Sequence, residues 1–227
     1  MRCFGLWVVT AGLVVLPVVQ AQERPVEGWG VATDPDNDCK IKAQKGRLTM
    51  NLPGTAHDFA AELKRWNAPR VLSKVEGDFH LEVKVAGGFN PTADSSIPGR
   101  RGYNGGGLLV VKDADNYVSL HRGAVNLDGR VRHYANFELR KNGEMDISLY
   151  EVELEDKDTY LRLERRGDKV YGLASHDRVT WKNYDPIEVD FPAPLLVGVV
   201  GINSSKEPFA CAFSELGLFK KVGVKLP

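Results

Sequence analysis

The stretch at 102–122, GYNGGGLLVVKDADNYVSLHR, limits what this 227-residue chain can become more than any other feature. Two β-rich runs, 108–112 and 117–122, flank Asp113-Ala114-Asp115-Asn116, whose short polar side chains bond their own backbone and turn the chain. Leu108-Leu109-Val110-Val111 is apolar on both faces, as a central strand must be. The second run alternates: Val118 and Leu120 point one way, Tyr117, Ser119 and His121 the other. Gly105, Gly106 and Gly107 lead in and mark a bend or a close backbone approach. A hairpin cannot bury its own apolar face, so the rest of the chain must supply a second layer.

Turn-bounded β-rich segments recur along the chain. Strands are expected at 39–43, Arg47–Leu52, 71–73, Phe79–Val85, 136–141, 147–154, 160–165, Lys169–Ser175, 195–202 and 209–218. In 136–141, Phe137 and Leu139 point inward while Asn136, Glu138 and Arg140 point outward. Only 56–66 has helical spacing, and the flanking Pro53 and Pro69 limit it to an irregular stretch or one short helix. Residues 87–102 form a Pro-, Gly- and Ser-rich loop of the length found in lids and binding loops, and 123–135 reads as a second sizeable connection. The run at 175–181, SHDRVTW, resembles an Asp-box hairpin with one residue missing, and Trp181 is read as a packing residue. Roughly eleven short strands with almost no helix give an all-β fold, a two-sheet antiparallel β-sandwich. No internal repeat points to a propeller.

Arg2, the apolar run over 4–16, and small residues at Val19 and Ala21 read as a signal peptide over 1–21. Its apolar run is shorter than the roughly 20 residues of a membrane span, so a secreted or periplasmic chain without a span after cleavage is expected. A lead-in at 22–33 precedes one domain at 34–219, and a basic tail at 220–227 follows. Lys and Arg number 30 and Asp and Glu 30, a balance that gives no support for nucleic-acid or anionic-membrane binding. Cys3 leaves with the signal peptide. Cys39 and Cys211 either close a disulfide, worth about 3–5 kcal/mol by loop entropy, or stay free thiols.

The segments YNGGGLLV and NYVSLHRG resemble the core hairpin of the "regulation of enolase" family of concanavalin A-like domains, a domain of unknown function. PGTAHDFAAE, WNAPRVL, VEGDFHLEVKV, YANFELRKNG, YLRLERRGDKV and VGINSSKEPFACAFSELGL extend the likeness over about residues 29–219. The resemblance implies a jelly roll of the concanavalin A-like, laminin-G-like lectin/glucanase kind. It brings no established catalytic set.

One sheet of such a sandwich is concave. Its outward side chains Tyr117, His121, Asn136, Glu138 and Arg140, joined by Tyr103 and Asn104 at the mouth of the long loop, are the candidate ligand-binding set. Sugar binding needs an aromatic face for stacking and planar polar groups for paired hydroxyls, and this set holds both. The same residues would equally make cross-strand ladders on a solvated sheet. Glu151, Glu153 and Glu155 share one strand face and resemble a glucanase carboxylate pattern, but the strand is entering a charged turn and reads as an acidic edge. Asp34, Asp36 and Asp38 alternate as at the start of a calcium loop, yet the glycine and distal glutamate of an EF-hand are missing, leaving an Asp-stabilised turn as the reading. The histidines show no metal spacing, and neither a GxSxG elbow nor a phosphate loop is present. No cofactor, metal or catalytic residue is therefore expected. An exported, non-catalytic domain that binds carbohydrate or a cell-envelope glycan is the reading. Its alternatives are a glycan-acting hydrolase using Glu151 and Glu155, and a structural or protein-interaction module of the envelope.

Overall fold

The structure, a computed structural model, describes residues 22–220. The expected signal peptide and the tail beyond Lys220 lie outside the described residues. Strands β1 (Gln22–Val26), β2 (Gly30–Asp34), β3 (Lys40–Gln44), β4 (Arg47–Leu52), β5 (Phe59–Ala60) and β6 (Arg65–Trp66) come first. They are followed by β7 (Arg70–Val75), β8 (Phe79–Val85), β9 (Tyr103–Val111), β10 (Tyr117–Leu127), β11 (Arg130–Lys141) and β12 (Glu144–Glu153). The last six are β13 (Thr159–Arg166), β14 (Lys169–Ser175), β15 (Lys182–Asn183), β16 (Ile187–Glu188), β17 (Leu195–Asn203) and β18 (Phe209–Lys220). A 3-10 turn, Ala61–Leu63, is the one helical element among the described residues.

Two antiparallel sheets pack face to face. One runs β1-β2-β7-β17-β9-β10-β11-β12, and the other β15-β14-β13-β8-β18-β4-β3 with β16 beside β14. Period-two alternation decides what lies between them. Leu108, Val118 and Leu120 are fully buried in one cluster with Leu81, Val83, Leu161, Leu163 and Phe213 of the opposite sheet. Each such side chain contributes about 1.5–3 kcal/mol of transfer free energy, which holds the two sheets together. The glycine run before Leu108 serves close approach, not a bend. A Cβ on Gly106 would sit 2.3 Å from Cys211 Sγ, and one on Gly107 would sit 2.1 Å from the Leu120 carbonyl oxygen.

The structure departs from the sequence reading in several places. The lead-in at 22–33 is the hairpin β1–β2 at the sheet edge. Residues 123–135 are not a connection: β10 and β11 stay paired to a tight turn at Asp128-Gly129, where φ is 55° and 97°. That Asp-Gly dipeptide is a type I′ hairpin signal, hidden by the basic residues that follow it. The 56–66 stretch agrees with its reading as irregular or one short helix: it holds the 3-10 turn Ala61–Leu63 and the two-residue pair β5–β6.

Cys39 and Cys211 are both free, so the disulfide does not form. Cys211 pairs with Met50, which pairs with Ile41, putting Cys39 two strands away and two residues along. Two spacings of about 4.8 Å already exceed the roughly 7 Å between Cα atoms that a disulfide tolerates. The Asp-box-like turn is present: Asp177 Oδ1 accepts from the Val179 and Thr180 amides at 2.8 and 2.7 Å. Trp181 packs there beneath the Arg162 guanidinium, 4.0 Å from its ring centre. Asn203, within an Asn-Ser-Ser sequon, is fully buried and donates to the Pro53 and Glu207 carbonyls, so it is no glycan acceptor in the folded chain.

Candidate functional site

The outer face of the β9–β10–β11 region is divided in two by the chain between β4 and β7. Its apolar half consists of Leu109, Val111, Tyr117, Val200 and Ile202, and these pack against Phe59, Trp66 and Ala68 of that segment. Tyr117 anchors this lid. Its hydroxyl donates to the Phe59 carbonyl at 2.9 Å and accepts from the Ala61 amide at 3.2 Å, and its ring meets Phe59 and Trp66 edge-on at 4.6 and 5.1 Å. Tyr117 is thus covered and takes no part in an open groove.

The polar half remains accessible as a cleft of about 450 Å³. One wall is Asp58, Ala60 and Glu62 of the lid, the other is Ile97 to Arg101 of the long loop, and the floor is the sheet. Five of the seven expected binding residues line it: Tyr103, His121, Asn136, Glu138 and Arg140. Asn104 does not. Its strand parity turns it into the interior, where its amide donates to Asn203 Oδ1 at 2.9 Å. The three glycines after it carry no side chains from which that parity could be read.

Arg140 works as a latch. Its Nε and Nη2 donate to both carboxylate oxygens of Glu62 at 3.2 Å each, and Nη1 donates to Glu138. Burial alone would lower the Arg140 pKa, but Glu138 and Glu62 more than offset it and raise it above the usual guanidinium range. The latch joins the 3-10 turn to β11 and holds the lid wall upright.

The floor differs in kind. Tyr103 lies across the paired glycines Gly105 and Gly123; a Cβ on either would approach its ring or hydroxyl to 2.8 and 2.6 Å. Beside it, His121 Nε2 and Asn136 Oδ1 are buried and have no hydrogen-bond partner among the described residues. His121 and Asn136 face each other directly across β10 and β11. Burial pushes the His121 imidazole down to about 4, with Glu138 opposing and Arg140 adding, so the ring is neutral near pH 7 and offers one donor and one acceptor. Asp58 is raised by burial, against the Phe59 amide and Arg140, which lower it.

Sequence reasoning missed the walls. Asp58, Glu62, Arg100 and Tyr134 carried no pattern that would place them here. Glu155 lies in the exposed turn after β12, 2.5 Å from Lys157 Nζ, and is not among the cleft residues. The side chain of Glu151 lies outside the described residues.

No protein-family profile matches the chain, and no curated protein matches it. Solved structures do. A functionally unknown protein from Saccharomyces cerevisiae superposes with a TM-score of 0.63 at 18% identity, covering 92% of this chain and 100% of that one. The Bacteroides ovatus xyloglucan PUL GH43B matches at TM-score 0.57 and 13% identity, over 92% of this chain but 40% of its own. The exoplasmic/lumenal domain of VIP36, in a Ca2+/Man3GlcNAc-bound form, matches at 0.51 and 14%, covering 84% and 85%. These likenesses give the architecture alone, a two-sheet antiparallel β-sandwich.

Proposed function

We propose that this chain is an exported, non-catalytic carbohydrate-binding domain of the "regulation of enolase" type, and that the cleft over Tyr103, His121 and Asn136 takes the end of a glycan. The observation that carries this is the pair of unpaired, buried polar atoms on the cleft floor, His121 Nε2 and Asn136 Oδ1, beside the Tyr103 ring. Unpaired buried polar groups cost about 1–3 kcal/mol each, and a ligand hydroxyl, which both donates and accepts, relieves that cost. Neutral His121 and the Asn136 amide match neighbouring hydroxyls, while the Tyr103 ring offers an apolar face to sugar C–H groups. The lid crosses the sheet beside the cleft, which favours a glycan terminus over the middle of a polymer. The VIP36 domain, in its Ca2+/Man3GlcNAc-bound form, supports the same ligand class on this architecture.

A glycan array followed by calorimetry tests the reading. Binding to a defined glycan terminus, weakened about tenfold or more in both His121→Ala and Asn136→Ala, is expected, since each loses one directed hydrogen bond. An array with no binder, or a binder indifferent to both substitutions, overturns it. Reducing-sugar release from any bound glycan would transfer the proposal to a hydrolase.

A further inference from the structure

Away from the cleft, the β2–β3 loop and the start of the lid bring together three potential metal ligands, with Asp36 alongside. His57 is fully buried and is pinned through its backbone, donating to the Asn203 carbonyl at 2.8 Å and accepting from its amide at 2.9 Å. Its Nδ1 lies 3.1 Å from the Thr55 carbonyl oxygen. A carbonyl only accepts, so this contact places a proton on Nδ1 and, in the neutral ring, leaves Nε2 as a lone pair. That lone pair is aimed at other lone pairs: Asp38 Oδ1 at 2.8 Å and Asp36 Oδ2 at 3.9 Å. Cys39 Sγ lies 3.5 Å from the same Asp38 oxygen. The ligand atoms of Asp38, Cys39 and His57 all fall within 4.8 Å of one another. A second proton on the ring, shared with Asp38, or a cation among these ligand atoms meets that arrangement.

We infer that Asp38, Cys39 and His57 form a zinc-class transition-metal site, with Asp36 beside it, that clamps the β2–β3 loop to the lid. Three ligand atoms, from Asp38, Cys39 and His57, lie within 4.8 Å of one another, a spread that a bound zinc ion would draw in. Zinc bond lengths imply ligand–ligand edges of about 3.5 Å for sulfur to oxygen and about 3.3 Å for nitrogen to oxygen. The S–O edge is already at that value, and the two N–O contacts at 2.8 and 3.9 Å bracket the other. The surroundings are those of a metal-binding histidine and carboxylate: Nδ1–H donates to a backbone carbonyl, and Asp36 Oδ2 accepts from the Asn67 amide at 2.7 Å. An imidazole and a thiolate among the ligands select zinc or a neighbouring transition metal over calcium or magnesium. Binding is balanced by release of the Cys39 thiol proton to solvent. Burial and the nearby Asp34 and Asp38 hold that thiol protonated, so the metal supplies the charge that lets it ionise. The clamp would brace the lid on which Asp58 walls the cleft, while the site itself stands independently of any glycan.

The test uses cobalt as the probe on the full chain, stripped with chelator. One equivalent of Co2+ should bind with a thiolate-to-cobalt charge-transfer band in the near ultraviolet, and Zn2+ should displace it. Cys39→Ala should abolish the band and weaken Zn2+ at least 100-fold, while Cys211→Ala keeps both. His57→Gln removes a fully buried anchor and risks misfolding, so Cys39→Ala, whose side chain is only half-buried, is the deciding variant. No stoichiometric uptake, uptake unchanged in Cys39→Ala, or a His57 ring that carries protons on both nitrogens and ignores added metal would each overturn the site.

Discussion

Lowering the pH should destabilise this protein through one histidine. The His121 side chain is 3% exposed, and burial pushes its pKa down to about 4, with Glu138 opposing and Arg140 adding. In the unfolded chain the same ring titrates near about 6.5. A folded pKa below the unfolded one means that, between those values, only the unfolded state takes up the proton. Stability is therefore complete above about pH 6.5 and is lost as pH falls towards 4, below which both states are protonated and the loss levels off. A difference of about 2.5 pH units at about 1.36 kcal/mol per unit gives a loss of about 3 kcal/mol, with roughly half of it reached near pH 5. Urea unfolding followed by tryptophan fluorescence at pH 7.5, 6, 5 and 4 measures it, with His121→Gln as the reference. Glutamine cannot take the charge, and the carboxylates common to both proteins cancel in the difference. The stability of the parent relative to the variant should fall by about 3 kcal/mol across the range. A difference constant to within about 0.5 kcal/mol would show that the ring is not held neutral by burial.

Three further outcomes follow from named contacts. Gly123→Ala places a Cβ 2.6 Å from the Tyr103 hydroxyl and should displace the ring, weakening glycan binding tenfold or more at a stability cost of about 1–3 kcal/mol; calorimetry and unfolding read the two effects separately. Arg122 is fully buried, lies 4.2 Å over the Phe89 ring, and donates to Asp156 at 2.5 Å, whereas the Asp156 side chain is 39% exposed. Asp156→Ala should thus cost about 3 kcal/mol by stranding a buried charge, and Arg122→Met clearly less, an asymmetry that denaturant titration would reveal. Tyr117→Phe deletes both hydroxyl contacts to the lid and should cost about 1–2 kcal/mol, with faster hydrogen exchange at the Ala61 amide as the local sign.

Much of the floor of the candidate site was legible from alternation alone. Val118 and Leu120 face the core while His121, Asn136, Glu138 and Arg140 face outward, as the pleat of two long paired strands requires. The glycines were legible as close approaches, though not what approaches them: Tyr103 at Gly105 and Gly123, Cys211 at Gly106. Asn104 fell on the wrong face because the residues that would reveal its parity have no side chains. The turn at Asp128-Gly129 was written in a known dipeptide and was obscured by the polar residues after it.

The sequence by itself determined an all-β chain, the inward and outward sets of its strands, and a polar face with an aromatic neighbour. Those are properties of the pleat, which repeats every two residues and needs no distant partner to be read. Only the tertiary structure decided that 53–69 folds over the Tyr117 half of that face, that Glu62 latches onto Arg140, and that His57 meets Asp36, Asp38 and Cys39. The residues that meet there lie tens of positions apart. Their meeting is set by which surfaces bury best against one another, a long-range balance that no local period encodes.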